Sequence, residues 1–174
     1  MLLALAIAPG ASSQAADPLP AGHYGGPASG SWTVTSSPKW LKSLALTAIE
    51  LREGVDEIPS SGTCGGFVGL DVPGGGGPIT GAARCEFPGE LARYNDRVAT
   101  LTATETATGV AGTATCCGSD QQVAWSAERN GESLTGSVSG STSVTPVSVS
   151  TRFGSVEVSL RVDWSVQFEA DRAP

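Results

Sequence analysis

The chain has 174 residues, the length of about one domain and enough to bury a substantial core. Hydrophobic residues make up 40% and charged residues 16%, which excludes a disordered chain. The formal net charge is −7 and the few Lys and Arg residues are scattered, which argues against nucleic acid or an anionic membrane as the main partner.

Residues 1–16, MLLALAIAPGASSQAA, carry no charge and begin with an apolar run at Leu2–Ala8. Small residues follow, and Ser13-Gln14-Ala15 has the shape of a signal-peptidase site. The segment reads as a secretion signal, which places the protein outside the cell or in a periplasm. The run is too short to span a bilayer as a helix, and no later segment is long and apolar enough to do so. Residues 17–30, rich in Pro and Gly, read as a flexible lead-in, and residues 31–170 as a single β domain. Ser31-Trp32-Thr33-Val34-Thr35 alternates and is the expected first strand.

Residues 37–54 fit two patterns. Leu44, Leu46 and Ala48 alternate, which reads 43–52 as a strand. The alternative is a helix across the end of the β domain, opened by Ser37-Pro38 and closed by Gly54. Its apolar stripe would be Trp40, Leu41, Leu44, Ala48 and Leu51. The acidic cluster Glu50, Glu53, Asp56 and Glu57 has no EF-hand spacing and reads as a solvated turn. Gly74–Gly77 lacks the Lys-Ser or Lys-Thr of a phosphate-cradling loop and reads as a flexible connection.

From Pro78 onward a weak repeat appears in Ile79-Thr80-Gly81-Ala82-Ala83-Arg84-Cys85, Val110 to Cys116 and Leu134 to Gly140. Each copy has an apolar residue two before a Gly, then small residues, with Cys or Gly four after it. Val98–Thr106 and Gln122–Glu128 alternate between the copies. Asn130-Gly131 is a strong hairpin signal, and Thr108-Gly109 and Phe153-Gly154 are weaker turn signals. Pro146 marks an edge or a bulge. The clearest element is Ser155–Glu169, where Val156, Val158, Leu160, Val162, Trp164, Val166 and Phe168 share one face and polar residues the other. A strand of that length bends or lies across two partners. The expected fold is all-β, an antiparallel up-and-down meander closing into a small barrel, with a two-sheet sandwich as the alternative. In its rhythm over residues 29–169 the chain resembles the lipocalin-like and avidin-like barrels of secreted bacterial proteins. The resemblance carries no functional residue across.

Four cysteines, Cys64, Cys85, Cys116 and Cys117, predict two disulfides in a secreted chain. The favoured pairing links Cys116 and Cys117 to Cys64 and Cys85. The alternative is a vicinal Cys116–Cys117 bond beside Cys64–Cys85. The only histidine, His23, reads as a surface residue of the lead-in, so neither a zinc site nor a histidine-based catalytic site is expected. Glu105, Glu128, Glu157, Asp163 and Glu169 are the carboxylates from which a hydrolytic pair could be drawn, and the reading is nevertheless non-enzymatic, with no cofactor. Trp32, Trp125 and Trp164 fall on the apolar sides of their strands. They either fill the barrel or line a site for a small apolar or carbohydrate ligand. Trp40, beside Lys39 and Lys42, is the expected contact surface for a protein partner. Two function classes follow, a ligand-binding barrel and an extracellular or envelope interaction module with a filled core. Abundant Ala and Gly with Arg over Lys point to a GC-rich bacterial genome.

Overall fold

The computed structural model describes residues 17–86, 98–115 and 122–174, so the expected signal segment and Cys116 and Cys117 lie outside the described residues. Among the described residues eight antiparallel strands follow one another: β1 (Gly22–Ser37), β2 (Ser61–Val72), β3 (Ile79–Glu86), β4 (Val98–Glu105), β5 (Gly109–Thr115), β6 (Gln122–Asn130), β7 (Ser133–Thr151) and β8 (Gly154–Arg172). Each pairs with the next, and β8 pairs back onto β1 to close a barrel. The up-and-down meander expected from the sequence is therefore the fold. Helix α1 (Lys42–Glu53), entered through a 3-10 turn at Lys39–Leu41, interrupts the meander between β1 and β2.

The sequence repeat has a packing cause. Gly81, Gly112 and Gly136 lie on β3, β5 and β7, which run in the same direction. Gly81 stands between Leu70 and Leu101, Gly112 beside Trp125, and Gly136 beside Phe168. A Cβ on any of these glycines would collide with a neighbouring strand. Small residues on odd strands thus face bulky ones on even strands, the alternation that fills a small barrel. Tyr24-Gly25-Gly26-Pro27-Ala28-Ser29-Gly30 is a fourth copy, on β1, where Gly26 approaches the backbone of Glu169. Its Gly and Pro content reads as loop, and this corrects the assignment of 17–30 to a lead-in: the first strand begins at Gly22, not Ser31.

The lead-in that remains plugs one end of the barrel. Leu19 is buried in the core, its N–H donating to Glu105 Oε2 at 2.9 Å. Arg129 Nη1 donates to Asp17 O, Arg172 Nη2 to Ala21 O, and Tyr24 Oη to Pro20 O. Glu105, Arg129 and Arg172 end the inward rows of β4, β6 and β8, so polar side chains tie the plug where the apolar rows stop.

At the opposite end β1, β7 and β8 continue past the other strands as a lip. Helix α1 packs on its inner face, burying Leu41, Ala45 and Leu46 against Val34, Val147, Val149, Val158 and Leu160. The helix replaces the strand expected at 43–52. It ends where Gly54 takes φ 67°, the left-handed stop that glycine adopts freely. The buried stripe also differs from the expected one. Of Trp40, Leu41, Leu44, Ala48 and Leu51, only Leu41 is fully buried, while Trp40 (71%), Leu44 (51%) and Leu51 (81%) are exposed. β8 serves both regions with one face: Phe168 and Ala170 lie in the barrel core, Val158 and Leu160 beneath the helix. In β7 a bulge between Val144 and Val147, at Pro146, keeps the apolar face inward.

Candidate functional site

Between the two cores lies a belt of inward-facing side chains that stay partly open to solvent. Ala99, Val123, Trp164 and Val166 flank the barrel core, and Trp32, Val144 and Val162 flank the core under the helix. Inward apolar residues at the plugged end are buried, so this half-open belt marks the open rim of the barrel.

The rim is organised by cross-strand register. Gly62 of β2 is level with Trp32 of β1, Trp32 with Trp164 of β8, and Trp164 with Gly140 of β7. A Cβ at Gly62 would lie 2.9 Å from Trp32 Cζ2, and one at Gly140 would lie 2.8 Å from Trp164 Cε2. Each indole therefore lies flat over a glycine on the outer neighbour of its strand. The two rings turn away from each other and form a shelf, an arrangement that shields the glycine backbone. Among the described residues, Trp164 Nε1 is the buried side-chain polar atom with no hydrogen-bond partner. A buried N–H left unpaired costs about 1–3 kcal/mol, so an acceptor brought to this point would be held there.

The three tryptophans singled out by the sequence part company here. Trp32 and Trp164 share the rim, while Trp125 is core. Trp125 is 3% exposed, stacks at a tilt on Phe168 with ring centroids 5.8 Å apart, and donates Nε1–H to Thr102 O and Thr113 O. Its indole is fully committed. Gly140 is legible in the sequence only as the last position of a repeat copy, and Gly62 not at all, because their part in the shelf is a pairing between strands distant along the chain.

Cys64 and Cys85 form a disulfide, with Cα atoms 5.5 Å apart. This corrects the favoured pairing of these two with Cys116 and Cys117. The physical reason is register: β2 and β3 are adjacent, and Cys85 pairs with Gly66 beside Cys64, within bonding reach. The bond lies on the inward face at the rim and ties the ends of β2 and β3. Among the described residues no cysteine is free.

The other candidates do not converge. His23 is exposed on β1, its Nδ1 2.9 Å from Asp71 Oδ1. Glu105 holds the plug at the far end. Glu128, Glu157 and Glu169 are exposed on the outer wall. Asp163 is paired with Arg161, its Oδ1 2.7 Å from Arg161 Nε. The hydrogen bond from Arg161, aided by one from Ser141, holds the Asp163 carboxyl below its ordinary range. Glu50 Oε1 accepts the N–H of Ile58 and so fastens the turn after α1, while Glu53 pairs with its helix neighbour Arg52. Among the described residues no three metal-ligating side chains gather, and no helix is long and apolar enough to cross a membrane.

No protein-family model matches the chain, and no curated protein matches it.

Proposed function

We propose that this is a secreted, non-enzymatic binding protein whose open rim takes a small, mainly apolar ligand bearing one hydrogen-bond acceptor. The observation that carries the reading is the unpartnered Nε1–H of Trp164, set in a half-open apolar belt beside Trp32. Aromatic faces supply area and the lone donor supplies orientation, the usual economy of a small-molecule site. A sugar would need several polar partners. The belt offers Val123, Val144, Val162 and Val166 instead, which favours an apolar ligand. The Cys64–Cys85 bond supports an oxidising compartment, outside the cell or in a periplasm.

The test is native mass spectrometry of the secreted protein, followed by tryptophan fluorescence titration with long-chain fatty acids, alcohols and simple sugars. An added mass lost on denaturation, together with saturable emission changes for an apolar acceptor-bearing ligand, is the expected result. Trp164→Phe keeps an aromatic ring and removes the donor. It should weaken that ligand roughly five- to thirtyfold, the worth of about 1–2 kcal/mol. A bare mass with no saturable change for any member of the panel overturns the reading. The alternative, an interaction module with a solid core, then gains, supported by the filled plugged end and by the exposure of Trp40.

A further inference from the structure

Helix α1 carries two apolar stripes. One, Leu41, Ala45 and Leu46, is consumed by the lip. The other, Trp40, Leu44 and Leu51, faces solvent, with exposed Thr47 between. Leu44 and Leu51 are seven residues apart and so share one side of the helix, with Trp40 exposed in the 3-10 turn that leads into it. The charges at the two ends of this stripe are opposite. Lys39 and Lys42, the only lysines in the chain, stand at its start; at its end Arg52 and Glu53 pair with each other, and Asp56 and Glu57 follow as the surplus negative charge.

We propose that this stripe is the contact of a two-fold dimer, in which α1 of one copy lies antiparallel on α1 of a second copy of this chain. The pattern is self-complementary. A two-fold axis passing between Thr47 and Ala48 sets Leu44 on the partner's Leu51, and brings the turn before each helix, with Lys39, to the end where the partner's chain leaves its helix toward Asp56. Both residues of the charged pair are exposed. Antiparallel helices also bring the positive N-terminal end of each dipole to the negative C-terminal end of the other. An isologous contact repeats each pair twice, so two apolar pairs and two ion pairs form at once. An acidic chain repels its own copy, and these two lysines are where that repulsion is locally reversed.

The experiment is sedimentation velocity over a concentration series at moderate salt, on the whole protein. The wild type is expected to shift from monomer to dimer. Lys39→Glu alone and Asp56→Lys alone each replace two attractions by two repulsions, and each should weaken the dimer roughly ten- to hundredfold. The double swap, Lys39→Glu with Asp56→Lys, restores both pairs and should restore dimerisation. Leu44→Glu should abolish it, with circular dichroism confirming that the barrel is intact. A wild type that stays monomeric to millimolar concentration overturns the proposal, as does a double swap no better than either single change. Vesicles of phosphatidylglycerol provide the remaining arm. Membrane binding lost in Lys39→Glu and kept in Asp56→Lys, without dimerisation, would make the stripe a lipid contact and overturn the proposal.

Discussion

The two ends of the barrel are built from the same strands to opposite specifications. At the plugged end every inward row finishes on a large side chain or a tethering polar one: Leu70, Leu101, Trp125 and Phe168 fill the interior, and Glu105, Arg129 and Arg172 hold the segment that closes it. Toward the rim the same rows shorten to Ala28, Ala83 and Ala114, still buried, and to the half-open Ala99, and the large residues Trp32 and Trp164 lie over glycines. One end is arranged to exclude water completely, the other to keep apolar wall within its reach. Within one closed sheet, the size of inward side chains alone separates a scaffold from a candidate site.

The comparison breaks most sharply at the tryptophans. Trp125→Ala removes a buried ring with both hydrogen bonds satisfied, and should cost about 3–5 kcal/mol in urea unfolding. Trp32→Ala, at the half-open rim, should cost clearly less. Equal losses would mean that the rim is core as well.

Next in size is the disulfide. Replacing Cys64 and Cys85 by Ser frees a link across a sequence separation of 21 residues. It should cost about 3 kcal/mol on the loop-entropy view. Hydrogen exchange should localise the loosening to the rim ends of β2 and β3, leaving Leu70 and Leu101 protected until global unfolding. Uniform loss of protection would show that the two ends form a single cooperative unit.

Gly140→Ala probes the shelf. The added methyl meets the Trp164 ring, so the ring must move, and the fluorescence of Trp164 and the affinity for an apolar ligand should change more than the melting temperature does.

The smallest expected effect is at the plug. Burial pushes the Tyr24 hydroxyl above its ordinary value of 10.0, outweighing the opposing effect of Arg172 and Arg129. A phenol with a raised folded-state pKa favours the protonated, folded chain. That contribution is present in full below pH 10 and is lost as pH rises from there through the folded-state value. Tyr24→Phe should remove this component of the alkaline stability loss, seen as a flatter dependence of the unfolding midpoint above pH 10.

How much of this is legible in the sequence depends on whether the cause is local. The alternation of Ser155–Glu169 is written one residue at a time, and β8 contains it whole. The Gly repeat is legible in β3, β5 and β7, and hidden in β1, where Gly25, Gly26, Pro27 and Gly30 give a strand the composition of a loop. Residues 43–52 satisfy both a two-residue and a helical period. Contact with Val147, Val149 and Val158 decides between them and selects the stripe of Leu41 and Ala45. The Cys64–Cys85 pairing and the row Gly62, Trp32, Trp164, Gly140 depend on strand register across most of the chain, which no single stretch of sequence contains.

The bulge in β7 has a consequence for how the chain can vary. Before it the inward residues are even-numbered, Leu134 to Val144; after it they are odd, Val147 and Val149. Thr145 and Pro146 together stand opposite the single Ser159, so the extra residue acts as a frameshift in the side-chain alternation. Removing one residue here would leave a single residue opposite Ser159 and a regular strand that still turns Val147 and Val149 toward α1, whereas pairing both residues in regular alternation would turn Ser148 and Ser150 there instead. The distal strand therefore tolerates the loss of the bulge together with its extra residue, but not the straightening of the bulge with both residues kept, which inverts everything between it and the hairpin tip.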